Sequence, residues 1–243
     1  MLCGDCTFRQ CYTQLLMSSR TRVFASSIGT KLLIGVTGLA LFLYLLTHIA
    51  GNLLIFLGPT TFNQYAHTLA SNPLIPVIEI GLLLIFLMHV YKTVTMFFRN
   101  QQARPVAYAK KKSQGRPSRK SVASSTMIVS GLWLLLFVVI HVKGFKYGSE
   151  YQTVDGVRDL YRTEMENFRS PLSVLFYTLS MLVVGSHLWH GSSSTFQSLG
   201  LDHPRWTPRI LLVTKVLAAA IAGGFVVIVF WAHVMQFRGQ VGP

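Results

Sequence analysis

Five apolar runs, at about 30–57, 74–99, 122–145, 171–197 and 208–236, constrain this chain more than any other feature. A helix of about 20 mostly apolar residues crosses the roughly 30 Å hydrocarbon core of a bilayer. Each run meets that length, and no other stretch does. The expected fold is an all-α polytopic membrane protein, a bundle of five transmembrane helices over residues 30–237. Pro73, Pro171 and Pro208 stand at the starts of runs two, four and five, where a missing N–H costs least. Gly58-Pro59 punctuates the end of the first.

Composition supports the same class and excludes others. Of 243 residues, 51% are hydrophobic and only 12% charged, where an ordinary globular domain carries about 25% charged residues. The charge is lopsided, with 22 Lys and Arg against 8 Asp and Glu, a net +14. A basic protein that binds nucleic acid, or a disordered one, is poor in apolar residues, so nucleic acid is not an expected partner. The basic residues lie between the runs instead. Arg99 through Lys120 holds eight Lys or Arg and no acid, whereas 58–73 holds no charge and 143–169 balances five basic against five acidic residues. By the positive-inside rule, the N-terminus and the 2–3 and 4–5 connections are cytoplasmic, and the other connections and the C-terminus lie outside. The Lys110-Lys111-Lys112 run suits contact with anionic lipid.

Residues 1–29 read as a flexible N-terminal leader, with Met17 as a second candidate start. Residues 1–19 lack the continuous apolar run of a signal peptide. Cys3, Cys6 and Cys11 all fall within the leader. Cys3-x-x-Cys6 has the spacing of a metal or redox pair, but the stretch lacks the four ligands of a closed zinc site.

Ionisable residues inside hydrocarbon are costly, which makes them functional candidates. Five of the eight histidines lie well inside the runs: His48, His89, His141, His187 and His190. At 1.5 Å per residue, His48 and His141 lie about 24 Å along runs that head outward, which gives one layer near the outer face. His89 and His187 lie roughly 20–24 Å along runs that head inward, a second layer on the order of 15 Å away. Two imidazole pairs at two depths, each drawn from two helices, are what two stacked bis-histidine haems require. A repeat supports the pairing. Thr37-Gly38-Leu39 precedes His48 as Ser130-Gly131-Leu132 precedes His141, each glycine ten residues before its histidine. At 100° per residue, the hydroxyl eleven positions back lies about 20° from the histidine's face. The glycine beside it thins the helix for a flat macrocycle. In run four, His187 and His190 lie one turn apart on the same side, and His187 matches the depth of its partner better. His190 and Lys92, nearer the cytoplasm, suit a haem propionate.

Over roughly 18–237 these residues resemble the cytochrome b membrane-anchor subunit of succinate dehydrogenase / fumarate reductase, in its single-chain, five-helix, two-haem form. The carriers are Gly38 with His48, then His89, Gly131 with His141, and His187-x-x-x-Gly191. The resemblance implies that His48 and His141 hold a distal haem b and His89 and His187 a proximal one. It favours His187 over His190, since Gly191 completes the spacing. It further implies a bacterial inner-membrane respiratory complex. In such a complex a flavoprotein would oxidise succinate, an iron–sulfur subunit would carry the electrons, and this chain would relay them through two haems b to menaquinone or ubiquinone. The chain itself has no dinucleotide fingerprint and no cluster-type cysteine set, so dicarboxylate chemistry is not expected of it.

For quinone proton transfer the candidate is Glu79, the one carboxylate within a run, with His67, Asn63 and Gln64 as unranked alternatives. Fumarate reductases of this family tend to carry an acid just before the run-four ligand; here Val184-Gly185-Ser186 stands there. Two further readings remain open. One is the haem b anchor of a hydrogenase or formate dehydrogenase, several of which draw two ligands from a single helix. The other is a transporter without haem whose histidines relay protons or bind metal.

Overall fold

The computed structural model describes residues 26–103, 126–201 and 203–237. The three cysteines, Met17 and the Lys110-Lys111-Lys112 run lie outside the described residues. Helix α1 spans Ser27–Asn52 and passes into a 3-10 turn, Leu53–Leu57. It opens on Ser26, whose hydroxyl accepts from the Gly29 amide at 3.0 Å, an N-cap that satisfies one orphan donor. The remaining helices are α2 (Pro59–Ala70), α3 (Ile75–Gln102), α4 (Met127–Phe145), α5 (Leu160–Asn167), α6 (Pro171–Ser198) and α7 (Thr207–Phe237). Five of them, α1 with its turn, α3, α4, α6 and α7, are long and apolar enough to cross a membrane. The chain is all-α and polytopic.

The short helices α2 and α5 fall in segments that the apolar runs leave as connections. Neither is long or apolar enough to register as a span, and each starts on a local signal. Gly58, at φ 96°, swings the chain out of the 3-10 turn in a conformation that favours glycine, and Pro59 opens α2. Asp159 caps α5, its carboxylate accepting from the Arg162 amide at 2.9 Å. The described part of run three is helical from Met127, and residues 122–125 lie outside the described residues. One expected position shifts. Pro73 lies in the turn before α3, and Pro76 occupies that helix's first turn instead.

Packing is built around α6, which meets α7 most extensively and also α1 and α4; α1 packs on α3, and α3 meets α4 lightly. The helices α1, α3, α4 and α6 therefore form a ring in which α1 faces α4 and α3 faces α6. Helix α7 closes against α6 and α1. Small residues permit the close approaches, as in helix pairs generally in membranes. A Cβ on Gly185 would meet that of Ala222 at 3.0 Å, and one on Gly224 would meet Ile49 Cδ1 at 3.1 Å. Between α4 and α6, Trp133 Nε1 donates to the fully buried Ser180 hydroxyl at 3.1 Å. None of α3's residues is buried, and Val77, Ile80, Leu83, Leu84 and Leu87 are all more than half exposed. So large an apolar surface marks contact with lipid or protein.

One end of the bundle is capped. Asn63, buried in α2, donates to Asp159 at 2.8 Å and accepts from the Tyr161 amide at 2.9 Å, which ties α2 to α5. Gln236 of α7 donates to the Met165 carbonyl, and His233 Nδ1 to the Phe168 carbonyl at 2.8 Å. Arg158 donates to the Phe145 carbonyl at 2.8 Å, one of the four acceptors that the end of α4 leaves without a partner within the helix. Beneath α5, Phe137, Met165, Phe168, Tyr177, Met181 and Val229 share one core.

Candidate functional site: two imidazole layers

The four ring helices bring their histidines together across the diagonals. Near the capped end, His48 of α1 and His141 of α4 meet with ring centroids 5.9 Å apart and planes at 87°. Aromatic rings surround this pair. Tyr44 stacks on His48 at 5.4 Å and Phe225 lies 5.5 Å from it. Phe137, Phe145 and Tyr177 lie 5.4, 5.0 and 6.0 Å from His141. Polar contacts here are sparse. Asn52 Nδ2 stands 3.4 Å from His48 Nδ1 and gives its stronger bond, 2.8 Å, to the His48 carbonyl. His141 Nδ1 is buried without a partner.

The second layer is held differently. His89 Nδ1 of α3 lies 3.1 Å from Thr37 Oγ1 of α1. The Thr37 hydroxyl has already given its only hydrogen to the Leu33 carbonyl at 2.6 Å, so towards the histidine it accepts. His187 Nδ1 of α6 lies 3.0 Å from Ser130 Oγ of α4, whose hydrogen likewise goes back to the Met127 carbonyl at 3.0 Å. Both imidazoles are thereby assigned the Nδ1–H tautomer, which leaves each Nε2 lone pair for a ligand or a metal. The neighbouring glycines complete the seats. A Cβ on Gly38 would stand 3.2 Å from His89 Cε1, and one on Gly131 would stand 3.7 Å from His187 Cε1.

The repeated Thr/Ser-Gly pair therefore serves the histidine of the adjacent helix, in the other layer. The eleven-residue offset puts hydroxyl and histidine on one stripe of their own helix but about 16 Å apart along it. The same rise separates the two layers. This cross-helix role is what periodicity within a single run could not disclose.

The other candidates fall as follows. His187 occupies the Ser130-Gly131 seat; His190, a turn further, is partly buried, and its carbonyl accepts from Ser193. The Lys92 ammonium lies 5.9 Å from the centroid of the Tyr91 ring. Glu79 forms an ion pair with Lys146, both about half exposed, and lies close enough to Tyr44 to interact with it electrostatically. Asn63 is committed to the α2–α5 junction, while Gln64 and His67 are exposed on α2.

The residues fit a pair of bis-imidazole iron centres. His48 and His141, with ring centroids 5.9 Å apart, would hold such an ion between them at metal–nitrogen bonds of about 2 Å. In the second layer, an Nδ1–H bonded to a hydroxyl oxygen is the outer contact that orients a ligating histidine and raises its basicity. Glycine at positions 38 and 131 keeps the helix surface thin beside each seat. Compared with protein-family models, curated proteins and solved structures, the chain matches none.

Proposed function

We propose that this chain is a two-haem cytochrome b membrane anchor of the succinate dehydrogenase / fumarate reductase type. In this reading it holds a flavoprotein and an iron–sulfur subunit at a bacterial cell membrane and exchanges electrons with menaquinone or ubiquinone. The observation that carries the reading is the pair of matching seats, Thr37-Gly38 for His89 and Ser130-Gly131 for His187, one layer below the facing His48 and His141.

The positive-inside rule orients the bundle with its capped end outward. His89 and His187 then form the layer nearer the iron–sulfur partner, and His48 and His141 the layer nearer the outer face. Haem b held in each layer supplies one-electron chemistry at a potential that the protein tunes. The chain's own residues do the rest. Four imidazoles would hold the two groups, those of His89 and His187 through Nε2. Thr37 and Ser130 fix two of the rings in one tautomer. Phe137, Phe145, Phe225 and Tyr177 keep water from the outer pair. Glu79, beside Tyr44 and ion-paired with Lys146, would take part in quinone proton transfer. Lys92 and His190 lie one turn inward from the inner pair, where haem propionates would meet them.

The test is haem content and a reduced-minus-oxidised spectrum of the chain purified with its partners. About two low-spin haems b per chain is the expected result. A colourless protein would contradict the reading and favour a proton-relaying or metal-binding transporter.

A further inference from the structure

Helix α5 buries a carboxyl that the electron relay does not use. Glu164 is only 6% exposed, and its Oε2 is buried without a hydrogen-bond partner. A buried polar group is ordinarily paired, because leaving it unpaired costs on the order of 1–3 kcal/mol. Its surroundings are polar but also unsatisfied. Asn167 Nδ2, one turn along α5, is a second buried atom without a partner. Asn167 Oδ1 and the Tyr177 hydroxyl both lie 3.9 Å from the point where a Cβ on Gly144 would stand, and the two side chains interact. Tyr177 spans the gap to the histidines, its ring 6.0 Å from that of His141.

The charged groups near α5 are engaged elsewhere. On α5 itself, Glu166 pairs with Arg169 at 3.7 Å and Arg162 lies 4.6 Å from the Tyr151 ring centroid. At its start, Asp159 takes Asn63 and the Arg162 amide. From the end of α4, Lys146 goes to Glu79 and Lys143 is exposed; Arg158, just ahead of α5, donates through its Nη2 to the Phe145 carbonyl while its Nε is buried without a partner. From α7, His233 donates to Phe168. Tyr177 of α6 remains the titratable group that interacts with Glu164. Burial accordingly pushes the Glu164 carboxyl up to about 8.

We propose that Glu164, Asn167 and Tyr177 form a proton-binding site at the capped end of the bundle, loaded from the adjacent aqueous phase when an electron reaches the His48–His141 layer. One electron enters that layer from an iron–sulfur or quinol donor, and one proton converts the Glu164 carboxylate to the acid. The net charge of that end is then unchanged, and reoxidation releases the proton by the same route. Coupling is expected because charges in a low-dielectric interior interact far more strongly than in water. The site stands on its own geometry, and the coupling rests on the haem reading.

Infrared spectroscopy of the full chain, purified with its partners, separates the two. At pH 7 a protonated-carboxyl band is expected in the wild type, absent from Glu164→Gln and fading in the wild type as pH passes about 8. At pH 8.5, chemical reduction should enlarge that band. Should Glu164→Gln fail to fold, the wild-type pH titration and the shifted band of Glu164→Asp carry the assignment. No band near neutral pH that titrates around 8 would overturn the proton site. A titrating band that ignores reduction, in a sample whose haem spectrum responds, would overturn the coupling. A sample that lacks haem but keeps the titrating band would overturn the parent reading and leave the proton site in place.

Discussion

The two histidine layers achieve the same pairing by opposite means. In the layer of His89 and His187, each ring is anchored by a hydroxyl 3.0–3.1 Å from Nδ1 and seated beside a glycine. In the layer of His48 and His141, the rings are wedged among Tyr44, Phe137, Phe145, Phe225 and Tyr177, and His141 Nδ1 has no partner. A directional bond fixes the tautomer and the ring's rotation together. Packing fixes the rotation alone. The first layer thus has its protons fixed in place, and the second leaves its proton balance open to its surroundings, which Tyr177 links to the buried Glu164.

The largest contrast should come from Gly38. A side chain there runs into His89, so Gly38→Leu should lose the His89–His187 centre and keep the other. Gly131→Ala, whose Cβ would stand at an ordinary 3.7 Å from His187, should keep both, as haem-to-protein ratios would report. Next come Thr37→Val and Ser130→Ala. Loss of such an outer contact costs about 10- to 100-fold in metal affinity, confined here to one layer and readable in a redox titration that resolves the two centres. Equal effects on both layers would erase the distinction.

A smaller effect belongs to the capped end. Folded Glu164 keeps its proton up to about 8, while its ordinary value is 4.5. Between those values the folded chain binds more protons than the unfolded one, so stability falls as pH rises from about 5 to 8 and levels off above. Thermal unfolding in detergent should show that slope in the wild type and a flatter one in Glu164→Gln. Smallest of all, His190→Gln should leave both centres intact, since His187 holds the Ser130-Gly131 seat.

Much of this was legible in the sequence because membrane helices advertise themselves. Five apolar runs give five spans to within a few residues, and a 1.5 Å rise turns residue numbers into depths. The meeting of His48 with His141 follows from that arithmetic. Two things were hidden. The helices α2 and α5 are short and owe their place to tertiary pins such as Asn63, which no local pattern reveals. The partners of Thr37 and Ser130 lie 52 and 57 residues away, so their role depends on which helices adjoin, a matter of packing rather than of period. Glu164 is an unremarkable acid in a charge-balanced connection until the fold buries it.

The arrangement in pairs is tested most directly by replacing His48, His89, His141 and His187 one at a time by alanine and resolving which centre each variant loses. Loss of one and the same centre with His48 and His141, and of the other with His89 and His187, is the expected pattern. Loss of a common centre with His48 and His89 would contradict the two-layer assignment.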